Sequence, residues 1–247
     1  MKFLSRIAPS VIAAAMTLCL AAPAHASELI VNGGFEAGFS SWTLADSLGS
    51  DGAFFLQTGA ASPVNGDVVP VPPSGTRAAM TDSQGPGSHV MYQDFIVPLL
   101  VGSVTLDFDL FVGNRAPLFA TPAVGLDWTT PALNQQARVD ILAAGTDPFS
   151  VAGADVLLNV FQTMPGDSFP LAYLAQSIDL SAFLGAHAGE TLRLRFAEAD
   201  NVGPFQLGVD NVSLTTESPQ AVPEPASLLL IGTGLAALGS RRLRRRS

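Results

Sequence analysis

Through the middle of the chain, apolar and polar residues alternate with a period of two. Val104, Leu106, Phe108, Leu110 and Val112 are separated by Ser103, Thr105, Asp107, Asp109 and Phe111. Successive side chains of a strand point to opposite faces, so this run predicts a strand with one buried face. Ala137, Val139 and Ile141 alternate with Arg138 and Asp140, and Leu192, Leu194 and Phe196 alternate with Arg193 and Arg195, which predicts two more. Fainter patterns predict strands over Glu28–Val31, Val90–Val97, Val156–Phe161, Tyr173–Leu180 and Gln206–Leu214. No window of a dozen residues keeps an i, i+3, i+4 apolar stripe, so eight short strands in an all-β, two-sheet sandwich are expected. A single helical turn fits Asp179 to Gly185, with Asp179 or Ser181 as cap and Gly185 as stop. The Pro- and Gly-rich stretches 59–75 and 115–131 read as long loops, and the chain contains no internal repeat.

The parity of the last expected strand is broken. Leu207 and Val209 occupy odd positions while Val212 and Leu214 occupy even ones, so an unbroken strand cannot bury all four on one face. A bulge near Asp210 and Asn211 repairs the register, and bulges re-aim side chains at sites.

The two ends of the chain read differently. Lys2 and Arg6 precede an apolar run from Ile7 to Ala22, which closes on Ala24-His25-Ala26, the small-x-small pattern cut by signal peptidase. Residues 1–26 are therefore expected to be a signal peptide cleaved after Ala26. The only cysteine, Cys19, leaves with it, so the exported protein forms no disulfide. At the other end, Pro223-Glu224-Pro225 is followed by an uncharged run from Ala226 to Gly239 and then by Arg241, Arg242, Arg244, Arg245 and Arg246. Fourteen residues give about 21 Å of helix, short for a membrane core of roughly 30 Å. A charge-free run ending in five arginines is nonetheless better read as a short membrane helix with its basic tip held cytoplasmic than as a core helix.

This tripartite tail, Val222 to Ser247, resembles the PEP-CTERM sorting signal of Gram-negative bacteria, which an exosortase recognises. The resemblance implies export, transient retention in the inner membrane, cleavage near Pro223 to Pro225, and delivery to the cell surface or extracellular matrix. The organisation expected is thus a leader (1–26), a passenger (27–216), a linker holding the Pro-Glu-Pro motif (217–225) and a hydrophobic helix with an Arg-rich tail (226–247).

Charge narrows the partners of the passenger. All 21 acids lie between Glu28 and Glu224, where they meet only Arg77, Arg115, Arg138, Arg193 and Arg195, a balance of −16 without a lysine. Phosphate contact needs a basic face, so no nucleic-acid partner is expected, and a Schiff-base lysine is excluded.

Two further segments carry a second resemblance. Val31-Asn32-Gly33-Gly34-Phe35-Glu36, followed by Trp42, stands near the start of the passenger. Arg193-Leu194-Arg195-Phe196 and Gly208-Val209-Asp210-Asn211-Val212-Ser213-Leu214 stand near its end. Together they resemble the opening and closing strands of jelly-roll domains of the carbohydrate-binding-module and galactose-binding type. The resemblance implies neighbouring first and last strands that share a structural calcium, with Glu36 and Asp210 as its carboxylates and Asn32 as a further ligand candidate.

Catalytic chemistry is sparse. Asp107 and Asp109 share a strand face with α-carbons about 6.5–7 Å apart, a spacing a glycosidase pair can use. The preferred reading is structural: Arg193 and Arg195 are expected beside them on the same sheet, each offsetting a carboxylate. His89 and His187, the histidines left after leader removal, are far apart in sequence and form no zinc pattern. No Gly-x-Ser-x-Gly elbow, P-loop or dinucleotide fingerprint occurs. For stacking on a sugar ring, Trp128 in Leu126-Asp127-Trp128-Thr129-Thr130 is the better candidate, because Trp42 is expected in the core. The sequence thus points to an exported, non-enzymatic surface or matrix protein that binds exopolysaccharide; the competing class is a secreted polysaccharide-active enzyme.

Overall fold

A computed structural model describes residues 26–120, 125–168 and 171–217. The leader up to residue 25, the Pro-Glu-Pro motif, the apolar run and the arginine tip lie outside the described residues. Among the described residues of the passenger there are eleven strands and one helical turn: β1 (Ala26–Glu28), β2 (Thr43–Asp46), β3 (Ala53–Gln57), β4 (Ala78–Asp82), β5 (Gly87–Ile96), β6 (Val104–Asn114), β7 (Gln135–Ala143), β8 (Val156–Gln162), β9 (Leu174–Asp179), α1 (Ser181–Ala186), β10 (Thr191–Asp200) and β11 (Phe205–Glu217). Every pairing is antiparallel. One sheet runs β3-β4-β11-β6-β9, with β1 added to the far half of β11, and the second runs β2-β5-β10-β7-β8. Because most consecutive strands change sheets, the chain follows a jelly-roll β-sandwich.

The three strongly alternating runs form β6, β7 and β10, and four of the fainter ones form β5, β8, β9 and β11; the fifth, Glu28–Val31, is corrected, because β1 ends at Glu28 and residues 29–31 leave the strand to enter the opening motif. The expected count of eight is corrected to eleven by β2, β3 and β4, which the alternation does not mark. β4 is buried at all five positions, so it has no polar face to alternate. The helical turn is also adjusted. Gly185 lies within α1 rather than closing it, His187 caps its C-terminus, and Leu180 holds the N-cap position without a side-chain bond. Asp179 still serves that end, accepting from the Ser181 N–H at 2.8 Å and the Ser181 hydroxyl at 2.5 Å.

Inner faces of the two sheets meet over Leu106, Phe108, Leu110, Ile141, Leu194, Phe196, Leu207 and Leu214. The opening motif is built into this core. Phe35 lies 5.5 Å from Trp42, Trp42 lies 6.1 Å from Phe196, and Phe196 lies 5.5 Å from Phe108, an aromatic chain that bridges the sheets. The Trp42 indole N–H donates to the Asn32 carbonyl at 3.1 Å, so Trp42 is a core residue, as expected.

The arginines of β10 face away from the expected partners. β6 belongs to one sheet and β10 to the other, so Arg193 and Arg195 cannot offset Asp107 and Asp109. Arg193 instead forks onto Asp94 of β5 at 2.7 and 3.1 Å and lies 3.9 Å over the Tyr92 ring. Arg195 and Arg138 converge on Asp140, with Arg195 and Asp140 both fully buried. Burial alone would raise the Asp140 carboxyl; the Arg138 hydrogen bond and the two guanidinium charges outweigh it and hold the group below its ordinary range. The second Arg195 amine donates to the carbonyls of Pro148 and Ser150, both at 2.7 Å, which fastens a loop over this face.

Candidate functional site

The register of β11 against β6 breaks between Asp210 and Ser213, where Asn211 takes a left-handed φ of 51°. This is the bulge that the parity of Val209 and Val212 requires. It turns Asp210 and Asn211 toward the outer face of the first sheet, and the opening motif packs directly behind it. The Val212 N–H donates to the Gly33 carbonyl at 3.0 Å, and a β-carbon on Gly33 would lie 1.8 Å from the Val212 carbonyl oxygen. Only glycine fits there. The first and last segments are thus neighbours, which places Glu36 and Asp210 in one locality.

Four elements meet around Asp210. Its carboxylate is buried and accepts from the Asn211 N–H at 2.7 Å and the Ser74 N–H at 3.2 Å. Burial pushes it up to about 6; the two N–H donors pull it down, while Asp109 and Glu36 repel it upward. Asn211 donates its amide to Asp109 at 2.6 Å and accepts from the Ser74 hydroxyl. Glu36, exposed, accepts from the Thr76 N–H at 2.7 Å, the Thr76 hydroxyl at 2.8 Å and the Arg77 N–H at 2.9 Å, and these bonds hold its carboxyl below the usual range. The Tyr173 hydroxyl, driven up first by burial and then by Asp210 and Asp109, stays protonated and donates to Gln57 at 2.6 Å.

A calcium ion asks for six to eight oxygens with little regard to geometry. Glu36 and Asp210, mutually repelling, together with the Ser74 and Asn211 side-chain oxygens, offer chemistry of that kind. Asn32 does not. Its amide donates to the carbonyls of Gly38 and Ser40, both at 2.9 Å, and accepts from the Ala37 N–H, so it closes its own loop at a left-handed φ of 57°. Among the described residues, no group of three or more His, Cys, Asp or Glu side chains is placed to hold a metal ion.

Beside the bulge, Asp107, Asp109, Gln176, Ser177 and Asn211 line an open groove of about 180 Å³. Asp107 and Asp109 do share this face, but no arginine joins them there. Trp128 lies elsewhere. It is half-buried against the β2–β3 loop, where a β-carbon on Gly49 would lie 3.4 Å from its ring, and its indole nitrogen is enclosed without an acceptor.

A second polar cluster fills the inner face where β2 and β10 end and β5 begins. His89, fully buried, places Nδ1 2.7 Å from the Asp46 carboxylate and Nε2 2.9 Å from the Asp51 carbonyl. Both partners are hydrogen-bond acceptors. Glu198 lies 3.9 Å from Nε2, fully buried, and neither of its oxygens has a donor at bonding geometry. Burial raises its carboxyl well above the ordinary value, and Asp200, Asp46 and Asp82 add to the rise against the Thr81 hydroxyl. Asp200, two residues on, is 1% exposed, accepts from the Gly87 N–H at 3.0 Å, and is pushed up to about 7 by burial and by Asp51. Sequence reading missed this cluster, although its signal was present: Glu198 and Asp200 continue the even parity of Leu192, Leu194 and Phe196 straight into the core.

Residues 221–246 match the PEP-CTERM protein-sorting motif. No curated protein matches the chain. Among solved structures, the chain is similar to the carbohydrate-binding module TmCBM61 in complex with β-1,4-galactotriose, at 12% identity over 76% of this chain and 97% of that one, with a TM-score of 0.43. It is also similar to the K3 adhesin domain of Lys-gingipain from Porphyromonas gingivalis, at 15% identity over 77% and 99%, with a TM-score of 0.46. A Stig cyclase from Fischerella sp. TAU is similar at 16% identity over 79% and 100%, with a TM-score of 0.44.

Proposed function

We propose that the β-sandwich is a non-catalytic passenger that binds exopolysaccharide at the cell surface or in the extracellular matrix. Its leader is removed by signal peptidase, and its tail holds it in the inner membrane until an exosortase cuts near Pro223 to Pro225. The sorting motif over residues 221–246 is the observation that carries this reading, because it implies export and membrane-anchored processing. The groove of Asp107, Asp109, Gln176, Ser177 and Asn211 supports the binding part: carboxylates, amides and hydroxyls in an open trough suit the hydroxyl-rich surface of a glycan. Calcium held by Glu36 and Asp210 would brace the loops beside that groove. Trp128, half-buried with its indole nitrogen enclosed, is left out of the proposed contact.

A polysaccharide-active enzyme is the second reading, favoured by Asp210, an acid pushed up to about 6 beside Asp109. Asp210 is buried beneath Ser74, however, and a glycosidic oxygen would have to displace that loop to reach it. The test has two parts. Mass measurement of the protein from membranes and culture fluid, beside a variant lacking Pro223 to Ser247, should find a released form without either end, and an intact tail in the mature product would refute the sorting route. Co-sedimentation of the released form with the producer's exopolysaccharide should weaken in Asp107→Ala/Ser177→Ala. Equal binding by that variant would remove the groove from the proposal, and turnover of any glycan would establish the enzyme instead.

A further inference from the structure

Three parts of the chain converge at one end of the sandwich. β1 begins and β11 ends there, since Ala26 pairs with Glu217. The Glu217 N–H donates to the Ser103 carbonyl at 2.8 Å, and the Glu217 carboxylate accepts from the Ser103 hydroxyl at 3.0 Å. Ser103 closes the loop between β5 and β6, and that loop has an unusual division of its apolar side chains. Val97 is buried and Val101 packs against the core, while Ile96, Leu99 and Leu100 are 68%, 80% and 75% exposed. The loop base is clamped: the Val97 N–H donates to the Glu190 carbonyl at 2.9 Å, and the Gly189 N–H donates to the Val97 carbonyl at 3.0 Å. Three large apolar side chains are therefore held in water on a fixed base, which is costly unless something covers them.

The chain that continues from Glu217 says what that is. Eight residues, 218–225, separate it from the uncharged run that starts at Ala226, and even fully extended they reach no more than about 28 Å. The leader's junction, at Ala26, leaves from the same end. On the sorting reading proposed above, both apolar ends of the precursor tether this end of the sandwich to the bilayer. We infer that the Ile96–Leu100 loop is a lipid-contact loop, which seats Leu99 and Leu100 at the membrane surface while the tail is anchored. Glu190 and Glu217, which bond the loop at Val97 and Ser103, are exposed acids, so the contact is apolar and works without anionic headgroups.

In the full chain, the test labels one exposed leucine at each end of the sandwich. With Cys19→Ser, Leu100→Cys carries an environment-sensitive fluorophore, and Leu48→Cys is the control. Leu48 is 96% exposed and follows Ser47, whose N–H bonds Ser88 at the opposite end of the ten-residue β5. The chain is bound to phosphatidylcholine vesicles containing brominated lipid, and flotation reports whether it is held. The inference expects position 100 to be blue-shifted and quenched while position 48 stays in water. A chain that floats with position 100 still in water overturns the loop contact and leaves the tail reading standing. A chain that does not float overturns both. Shielding of position 100 only in native membranes, never in protein-free vesicles, assigns the loop to a protein partner and overturns the lipid contact.

Discussion

Replacing Asp200 with asparagine tests the energetics of the buried acid cluster. The Asp200 carboxyl is 1% exposed and pushed up to about 7, against 3.8 for the free side chain. A folded value above the unfolded one means that this group's contribution to stability is complete below pH of about 4 and is lost as pH rises through 7. The gap of about three pH units corresponds to about 4 kcal/mol at pH 8. Asparagine cannot ionise, and its amide oxygen keeps the 3.0 Å bond from the Gly87 N–H. Its amine needs a new partner at the shallow cavity that Asp200 lines with Gln84 and Asn201, which costs about 1 kcal/mol. A net gain of about 2–3 kcal/mol remains, or about 5–10 °C in Tm for a domain of this size. Removing Asp200 also relieves Glu198, whose carboxyl it repels. Thermal melts of both proteins between pH 4 and 8 should therefore find the variant slightly the less stable near pH 4, the two curves crossing at a pH of about 4.5–5 and diverging in the variant's favour as pH rises further. Equal melting temperatures at pH 8, or a difference that does not change with pH, would refute this account.

Other outcomes follow from the remaining geometry. Asp140→Ala leaves Arg195 buried without its carboxylate and should cost about 3–5 kcal/mol in denaturant unfolding; a loss below 1 kcal/mol would show that the Pro148 and Ser150 carbonyls suffice. Gly33→Ala forces a methyl group onto the Val212 carbonyl and should open the bulge, seen as lost hydrogen-exchange protection at Val212, whereas retained protection would deny the close approach. Calcium at millimolar concentration should raise the melting temperature of the wild type but not of Glu36→Gln/Asp210→Asn, and a wild type indifferent to calcium in calorimetry would end the calcium proposal.

The fold was legible wherever one face of a strand is wet and the other dry. β6 keeps its polar outer face, so Thr105, Asp107 and Asp109 announce it. β4 does not, because Met80 packs outward against Val69 and Phe111, while Asp82 takes the N–H groups of Val64 and Asn65 at 2.6 and 2.9 Å. The loop around Val64 to Val69 and the β6 residue Phe111 thus bury the second face, and no local pattern records it. Parity also carried the site as far as the bulge and no further. It located the break between Val209 and Val212, but the Ser74 and Thr76 groups that hold Asp210 and Glu36 come from the loop before β4. The misplaced arginines have the same origin: alternation says that Arg193 and Arg195 leave one face of β10, while the choice of Asp94 and Asp140 depends on which strands flank it.

The two ends of the sandwich are built for different surroundings, and burial alone does not explain the contrast. At the end where β10 finishes, Asp46, His89, Glu198 and Asp200 take inner-face positions that an ordinary core would give to leucine or phenylalanine, and the cost grows with each carboxylate that ionises. At the end where both termini leave, Ile96, Leu99 and Leu100 stand in water where an ordinary loop tip would carry serine or asparagine. Exchanging the two sets would give a conventional domain with an apolar core and a polar rim. On the lipid-contact inference made above, a chain tethered through Ala26 and Glu217 has reason to differ, since such a tether would turn the leucine end toward the bilayer and the acid cluster away from it. The polar groove along β6 and β9, lined by Asp107, Asp109, Gln176 and Ser177, belongs to neither set.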